Sequence, residues 1–312
     1  MPQEKSSKTN LQPSINSVIG TFVALSTILG SGMMILPGTS YFSLHGASWI
    51  PWAVAAVSVI PMLFAYAWLG RAYPSSSGVA HYSQVAFGKK SGASCGFMAL
   101  FALFCCIPAT AGTGGRYIQS VVASTWAEPI FAVSAVAIAI FVTLMGASLS
   151  GRVQMFLIIL LVLTICALSA VALTRVDSLP TFPSDLGIGA IGSSLVAVYV
   201  AFTGWETVSF TFEEHRRSDL IPRVFTASYI TVVGLYAILI VGLYVAVDAD
   251  DPTLNSAPLL ALATNVFGKA GTYVVFILVI VAICANLAAS VLAVSRLTFG
   301  LARSGFLPSI LA

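Results

Sequence analysis

Three groups of residues in this 312-residue chain have types and spacings that could hold a polar solute. Gly30-Ser31-Gly32 sits midway along the first apolar stretch of membrane-crossing length, and Phe202-Thr203-Gly204-Trp205-Glu206 sits midway along the sixth. Two glycines flanking a serine lower the cost of leaving helical geometry. A half-helix that starts there aims N–H groups with partial positive charge into the space in front of it, which suits a carboxylate. Freed backbone groups at that depth are tolerated only where they face protein or a wet cavity, and paired breaks in corresponding segments point to a solute site. The plainer alternative is a glycine pair that lets helices approach closely.

Glu206 is the one acid deep inside the apolar layer. A carboxylate there costs several kcal/mol unless it is paired, hydrated or protonated. It either titrates, which would suit proton coupling, or hydrogen-bonds unwound backbone as a structural acid; the residues leave both open. Asn286 and Ser290 are one helical turn apart on a shared face. Asn286 either lines a cavity or makes an interhelical hydrogen bond. Arg296 either snorkels to the inner surface or pairs with an acid of a loop.

The elements that must position these residues follow from composition. Charged residues are 8% of the chain and apolar residues 58%, against roughly 25% charged in an average soluble protein. The chain is therefore an all-α polytopic membrane protein. Eight spans are predicted, at Ile15–Phe42, Trp49–Leu69, Cys95–Val121, Pro129–Met145, Val153–Leu173, Ile188–Phe212, Val224–Val247 and Gly271–Val294. The first and sixth are discontinuous. Pro258–Phe267 is too short to cross and is expected on the surface, in an external loop. Pro37, Pro61 and Pro108 are expected to kink their spans, and Gly92, Gly96, Gly114 and Gly115 to allow close helix approach.

Basic residues set the orientation. With the N-terminus inside, Lys5, Lys8, Arg71, Lys89, Lys90, Arg152, Arg216, Arg217, Arg223 and Arg303 fall on the inner side, against Arg116, Arg175 and Lys269 outside. Residues 1–14 are read as a cytoplasmic tail, not a cleaved signal. A net charge of +3 without a basic run gives no sign of nucleic-acid binding. The five cysteines fall in apolar spans without metal spacing and read as small buried hydrophobes. His45 and His81 have no partner at ligand spacing, so no metal or other cofactor is assigned. The run Glu213-Glu214-His215-Arg216-Arg217-Ser218-Asp219 is expected as a solvated, salt-bridged loop. No nucleophile elbow, phosphate loop or zinc motif is present, so an enzyme has no footing.

Many of these residues resemble the amino acid–polyamine–organocation permeases. Gly30-Ser31-Gly32 with Leu36-Pro37 is similar to that family's first-helix signature. Arg71-Ala72-Tyr73-Pro74 through Ser77-Gly78-Val79-Ala80-His81-Tyr82 and Ala86-Phe87-Gly88 is similar to its loop between helices two and three. Ser150-Gly151-Arg152-Val153-Gln154, then Phe202, Gly204 and Glu206, Pro222-Arg223, Asn286, Ser290, Ser295-Arg296 and Leu301 through Pro308 follow in the family's order. Within the family, Ser77 through His81 and Ile107-Pro108 resemble bacterial exporters of methionine and branched-chain amino acids. The resemblance implies a five-plus-five inverted-repeat (LeuT-like) fold, with residues 15–174 as the first five-helix repeat and 175–312 as part of the second. It also implies alternating-access transport of an amino acid in the inner (plasma) membrane. The substrate carboxylate would sit on the N–H groups of Gly30, Ser31 and Gly32, and its ammonium near the carbonyls of Phe202, Thr203 and Gly204. Trp205, Cys106 and Ala109 would line the pocket, and Glu206, Asn286 and Ser290 would serve coupling or gating.

Three departures qualify that expectation. Leu161 stands where many proton-coupled members carry a lysine. Arg217-Ser218 replaces an Asn-Pro turn after the sixth span. The sequence ends at Ala312, so the second repeat has three helices and not five. The rival expectation is a truncated, non-transporting subunit or remnant, or a homo-oligomer whose copies complement each other. An ion channel would want a ring of charges or carbonyls, and the sequence carries neither.

Overall fold

The structure is a computed structural model that describes residues 15–122, 124–144, 147–174, 181–183 and 187–311, with side chains omitted for 147–154. The expected tail at 1–14, Lys5, Lys8 and Arg175, the 174/175 repeat boundary, and the side chains of Ser150 through Gln154 lie outside it. Among the described residues the architecture is helical, with a single parallel β-bridge between Ile15 and His215.

The helices in chain order are α1 (Ser17–Ile28), α2 (Ser31–Leu44), α3 (Trp49–Ala72), α4 (Val79–Phe87), α5 (Lys89–Val121) and α6 (Ala127–Leu144). They continue as α7 (Ala147–Leu173), α8 (Ile188–Ala201), the short α9 (Trp205–Val208), α10 (Ile221–Ala246) and α11 (Pro258–Arg303). Among the described residues seven helical segments are long and apolar enough to cross a membrane, and α1 and α2, bent 51° at their break, form an eighth if they are one span. In hydrocarbon a backbone must satisfy its own hydrogen bonds, which helices do and open chain does not. Large apolar side chains such as Phe64, Trp68, Phe101 and Phe141 stand exposed on helix faces, as lipid contact allows and water does not. The chain is a multi-pass membrane protein.

Three sequence expectations change. The third span begins at Lys89 and not Cys95, because Lys89 and Lys90 occupy its first turn beyond Gly88. The last helix runs on to Arg303. Pro258–Phe267 does not lie on a surface. Its Leu259, Leu262, Ala263 and Val266 are core residues, and Gly268, at φ 66°, turns it into the following helix. Its apolar faces are used up by α2 on one side and the bundle on the other, which length alone does not reveal. Helices α2, α3 and α5 continue through Pro37, Pro61 and Pro108.

Packing relies on small residues. A Cβ at Gly96 would press into Leu301, one at Gly114 into Phe131, one at Gly115 into Glu128 and one at Gly92 into Gln84. So α5 lies close against α4, α6 and α11. Likewise α2 meets the turn before α11 at Gly38, where a Cβ would strike the Leu254 carbonyl and Pro258. Gly38→Val is therefore expected to cost about 1–3 kcal/mol through overpacking. That would appear as a lower melting temperature of the purified protein, and an unchanged one would mean the contact is slack.

Candidate functional site

Helix α1 ends at Ile28 because the chain turns away there. Leu29 adopts φ −77°, ψ 55° and Gly30 φ −97°, ψ −146°. In a continuing helix the Gly30 N–H would donate to the Ser26 carbonyl four residues back. It donates instead to the Ile28 carbonyl (2.8 Å). Asn286 Nδ2 from α11 donates to the Ser26 carbonyl (2.5 Å). Ser31 then opens α2, whose first-turn amides have no partner inside the helix. Around this break α5 supplies braces. Tyr117 donates its hydroxyl to the Met34 carbonyl (2.6 Å), and Thr110 donates to Ser31 Oγ (3.4 Å).

The second interruption is built alike. Helix α8 ends at Ala201, whose carbonyl accepts from the Tyr236 hydroxyl of α10 (2.7 Å). Gly204 adopts φ 105°, a left-handed conformation that favours glycine. A Cβ there would also face the Thr27 carbonyl of the first break at 3.0 Å. Trp205 then restarts the helix, and Glu206 Oε2 reaches back to accept from the Gly204 N–H (3.1 Å), in the manner of a capping carboxylate.

Both interruptions open onto one cavity of about 230 Å³. Thr27, Ile28, Gly30, Ser31 and Gly32 line one wall, and Val200, Thr203, Gly204, Glu206 and Thr207 line the opposite one. Ala99, Ala102, Leu103, Cys106 and Thr110 of α5, with Asn286 and Ser290 of α11, supply the remaining walls. Among the described residues Glu206 is the one charged side chain on this wall, so with Glu206 ionised that wall carries negative charge. Phe210 and Leu103 close it at one end. They belong to an apolar cluster with Ala80, Ala293, Leu297 and Leu301. At the other end Gly32 meets Ala201 so closely that a Cβ on Gly32 would lie 2.8 Å from Ala201 Cα. Beyond that contact is a second cavity of about 170 Å³ between α2 and α8, lined by Thr39, Ser40, Ser43, Ser193 and Ser194 among others.

Of the residues singled out by sequence, Gly30, Ser31, Gly32, Thr203, Gly204, Glu206, Asn286, Ser290 and Cys106 meet at the cavity. Phe202, Trp205 and Ala109 are not on its wall. Phe202 packs tilted against Trp52 and edge-on against Tyr236, and Trp205, wholly buried, packs on Phe225 and Tyr229. The Gly204 turn rotates the indole to the rear of the break, which a linear sequence cannot show. The Glu206 carboxyl hydrogen-bonds the unwound backbone, as its structural reading expects, and it also lines the cavity. Thr27, Thr110, Thr207 and Phe210 escaped the sequence reading, although Thr27 and Thr207 flank the breaks within a helical turn.

The charged run after α9 is salt-bridged, as expected, and exposed at Arg216, Arg217 and Asp219, but its first part is drawn into the fold. Ser209–Glu214 is a 3₁₀-helix, and its acids pair with the end of α11. Arg303 grips Glu213 through two hydrogen bonds (2.6 and 2.8 Å), and the Ser76 N–H donates to the same carboxylate (3.1 Å). Arg296 Nε lies 3.0 Å from Glu214 Oε1, an ion pair at an angle unsuited to a hydrogen bond. Exposed Arg217 holds Asp219 at the outer edge. His215 is buried. Its Nδ1 donates to the Thr211 carbonyl (3.1 Å), and its Nε2, packed beside Gly20, has no hydrogen-bond partner among the described residues.

The class defined by this fold and site is a multi-pass helical membrane protein with a polar cavity between interrupted helices. The amino acid permease family matches residues 18–312, and the chain belongs to it, within the amino acid–polyamine–organocation superfamily. It is 30% identical over 305 residues to a Bacillus subtilis (strain 168) protein named uncharacterized amino acid permease YecA, covering 96% of this chain and 71% of that one. It is 22% identical over 213 residues to the L-methionine/branched-chain amino acid exporter YjeH of Escherichia coli (strain K12), covering 68% and 51%. It is 24% identical over 327 residues to the human cystine/glutamate transporter, covering 98% and 64%. The chain thus spans between half and just under three quarters of the length of these relatives. They are transporters and not enzymes.

Burial holds the His215 pKa below the usual histidine value. The unfolded chain therefore binds the proton more readily, and folded stability rises with pH through that window. Stability should be full above about pH 6.5, the unfolded histidine value, and fall as pH drops below it. Melting temperatures measured between pH 5 and 8 should show this slope, and His215→Asn should flatten it; an equal slope in the variant would remove His215 as its source.

Proposed function

We propose that the chain performs secondary active transport of a zwitterionic amino acid by alternating access, with the 230 Å³ cavity as its solute site. The observation that carries this reading is that two helix interruptions open onto one polar cavity, as a solute with two charged ends requires. The substrate carboxylate would rest on the first-turn amides of α2, led by Ser31 and Gly32. The Gly30 N–H is already committed to the Ile28 carbonyl, which narrows the set expected from sequence. The ammonium would face the Phe202–Gly204 turn and Glu206. Each interrupted pair, α1 with α2 and α8 with α9, would then be one broken span. Eight spans, an N-terminus in the cytoplasm of an inner membrane and a first repeat over 15–174 complete this arrangement.

Side-chain preference follows from the remaining wall. Ala99, Ala102, Leu103, Cys106 and Phe210 offer apolar and sulfur surface, and among the described residues no lysine or arginine lines the cavity. An acidic substrate side chain would meet Glu206 with no compensating cation. An apolar side chain of the branched or methionine type fits the wall, in keeping with the printed substrates of the Escherichia coli relative. Glu206 would release its proton to solvent as the ammonium binds beside it and take one up when the ammonium leaves, so transport would couple to protons.

Purified chain reconstituted in sealed vesicles with an imposed pH gradient is expected to move leucine or methionine and not glutamate. Glu206→Gln should abolish the response to the gradient, and Gly32→Leu, which drives a side chain into Ala201, should cut flux by about tenfold or more. Normal gradient-driven flux in both variants would refute the site. Absence of flux in the parent chain would favour a non-transporting subunit.

A further inference from the structure

We propose that Asn286 is a positioning residue: its side-chain amide replaces the helical hydrogen bond that α1 gives up, and thereby holds the carboxylate-facing amides of α2 in place. This rests on the transport reading above for its functional half. Its structural half stands alone.

The Gly30 N–H turns back to the Ile28 carbonyl, so its helical donation to Ser26 is gone. Asn286 Nδ2 makes that donation from another helix, at 2.5 Å. The same amide also sets the next residue. A Cβ on Gly30 would lie 2.9 Å from Asn286 Oδ1 and 3.0 Å from Nδ2, so the planar amide fills the space a side chain at position 30 would need. One group thus touches both sides of the turn, the last carbonyls of α1 and the residue that starts α2. Asn286 is itself fixed: it is buried, its backbone carbonyl accepts from Ser290 Oγ (3.0 Å), and α11 is anchored against α5, α6 and α7. The support therefore comes from a part of the bundle that packs on many neighbours. Leucine keeps asparagine's branch at Cγ, is larger and cannot donate; alanine is small enough to leave the space open. The two substitutions separate the hydrogen bond from the packing.

The direct test needs no substrate. In lipid nanodiscs, hydrogen exchange is followed on peptides covering residues 26–34 in the parent protein and in Asn286→Leu. Loss of a donor to a buried acceptor should speed exchange of the Gly30–Met33 amides about tenfold, with peptides from α5 and α6 unchanged. Exchange within about twofold of the parent, or an equal rise across α5 and α6, would overturn the assignment. If Asn286→Leu does not fold, Asn286→Ala is read by the same criteria. In vesicles, Asn286→Leu should raise the substrate concentration at half-maximal flux about tenfold and leave the maximal rate within about twofold. Altered exchange with unaltered half-saturation would overturn the functional half. No flux in the parent would count against the transport reading alone, with the exchange result still decisive for the hydrogen bond.

Discussion

A helix that stops inside an apolar layer leaves carbonyls that water cannot reach, and each such group costs several kcal/mol if nothing else donates to it. The rest of this structure is arranged around that requirement. The Ser26 carbonyl at the end of α1 receives Asn286 from α11, and the Ala201 carbonyl at the end of α8 receives Tyr236 from α10. On the far side of the first break, Tyr117 of α5 donates to the Met34 carbonyl. Helices α11, α10 and α5 thus lend donors to the interrupted pair. In return the amides at the start of α2 stay open towards a cavity.

Close approach is what makes those bonds possible. Gly30 yields to Asn286, Gly32 to Ala201, and Gly204 to the Thr27 carbonyl. Gly30 and Gly204 thus lie in the breaks themselves, while Gly32 and Gly204 let the two broken segments meet. Any side chain at these points would restore helical preference and also push the walls of the cavity apart. The dual use explains why a cavity of only about 230 Å³ can be reached from two broken segments so far apart in sequence.

Charge is distributed with the same economy. Glu206 is kept within the cavity by the Gly204 N–H, while the other acids of that region are drawn to the ends of the bundle. There Glu213 and Glu214 meet Arg303 and Arg296, and the parallel bridge from Ile15 to His215 ties the start of α1 to the same place. Between these ion pairs and the cavity lies the apolar cluster around Phe210. A polar solute leaving in that direction would have to displace apolar side chains before reaching any charge.

The class of this protein was already written in its composition and period. An 8% charged chain with repeated apolar runs of about 20 residues has no other folded solution than membrane helices, and Gly30-Ser31-Gly32 and Gly204 declare where helical geometry is cheap to abandon. The family emerged from motif order, and the partner acids of Arg296 and Arg303 lay within reach of a charge count. What only the tertiary structure decided was direction. Trp205 and Phe202 look like pocket residues in a line of text, yet the left-handed turn at Gly204 sends the Trp205 indole away from the cavity. Pro258–Phe267 looks like a surface piece because its length is short, yet it is buried because α2 offers Gly38 as a seat. Asn286 looked equally suited to lining and to bonding and does both, because a backbone carbonyl 260 residues away lost its helical donor. Sequence records which residues can break or bridge, but which side of a break a group faces depends on the torsions of the turn and on the neighbours that fill the remaining space.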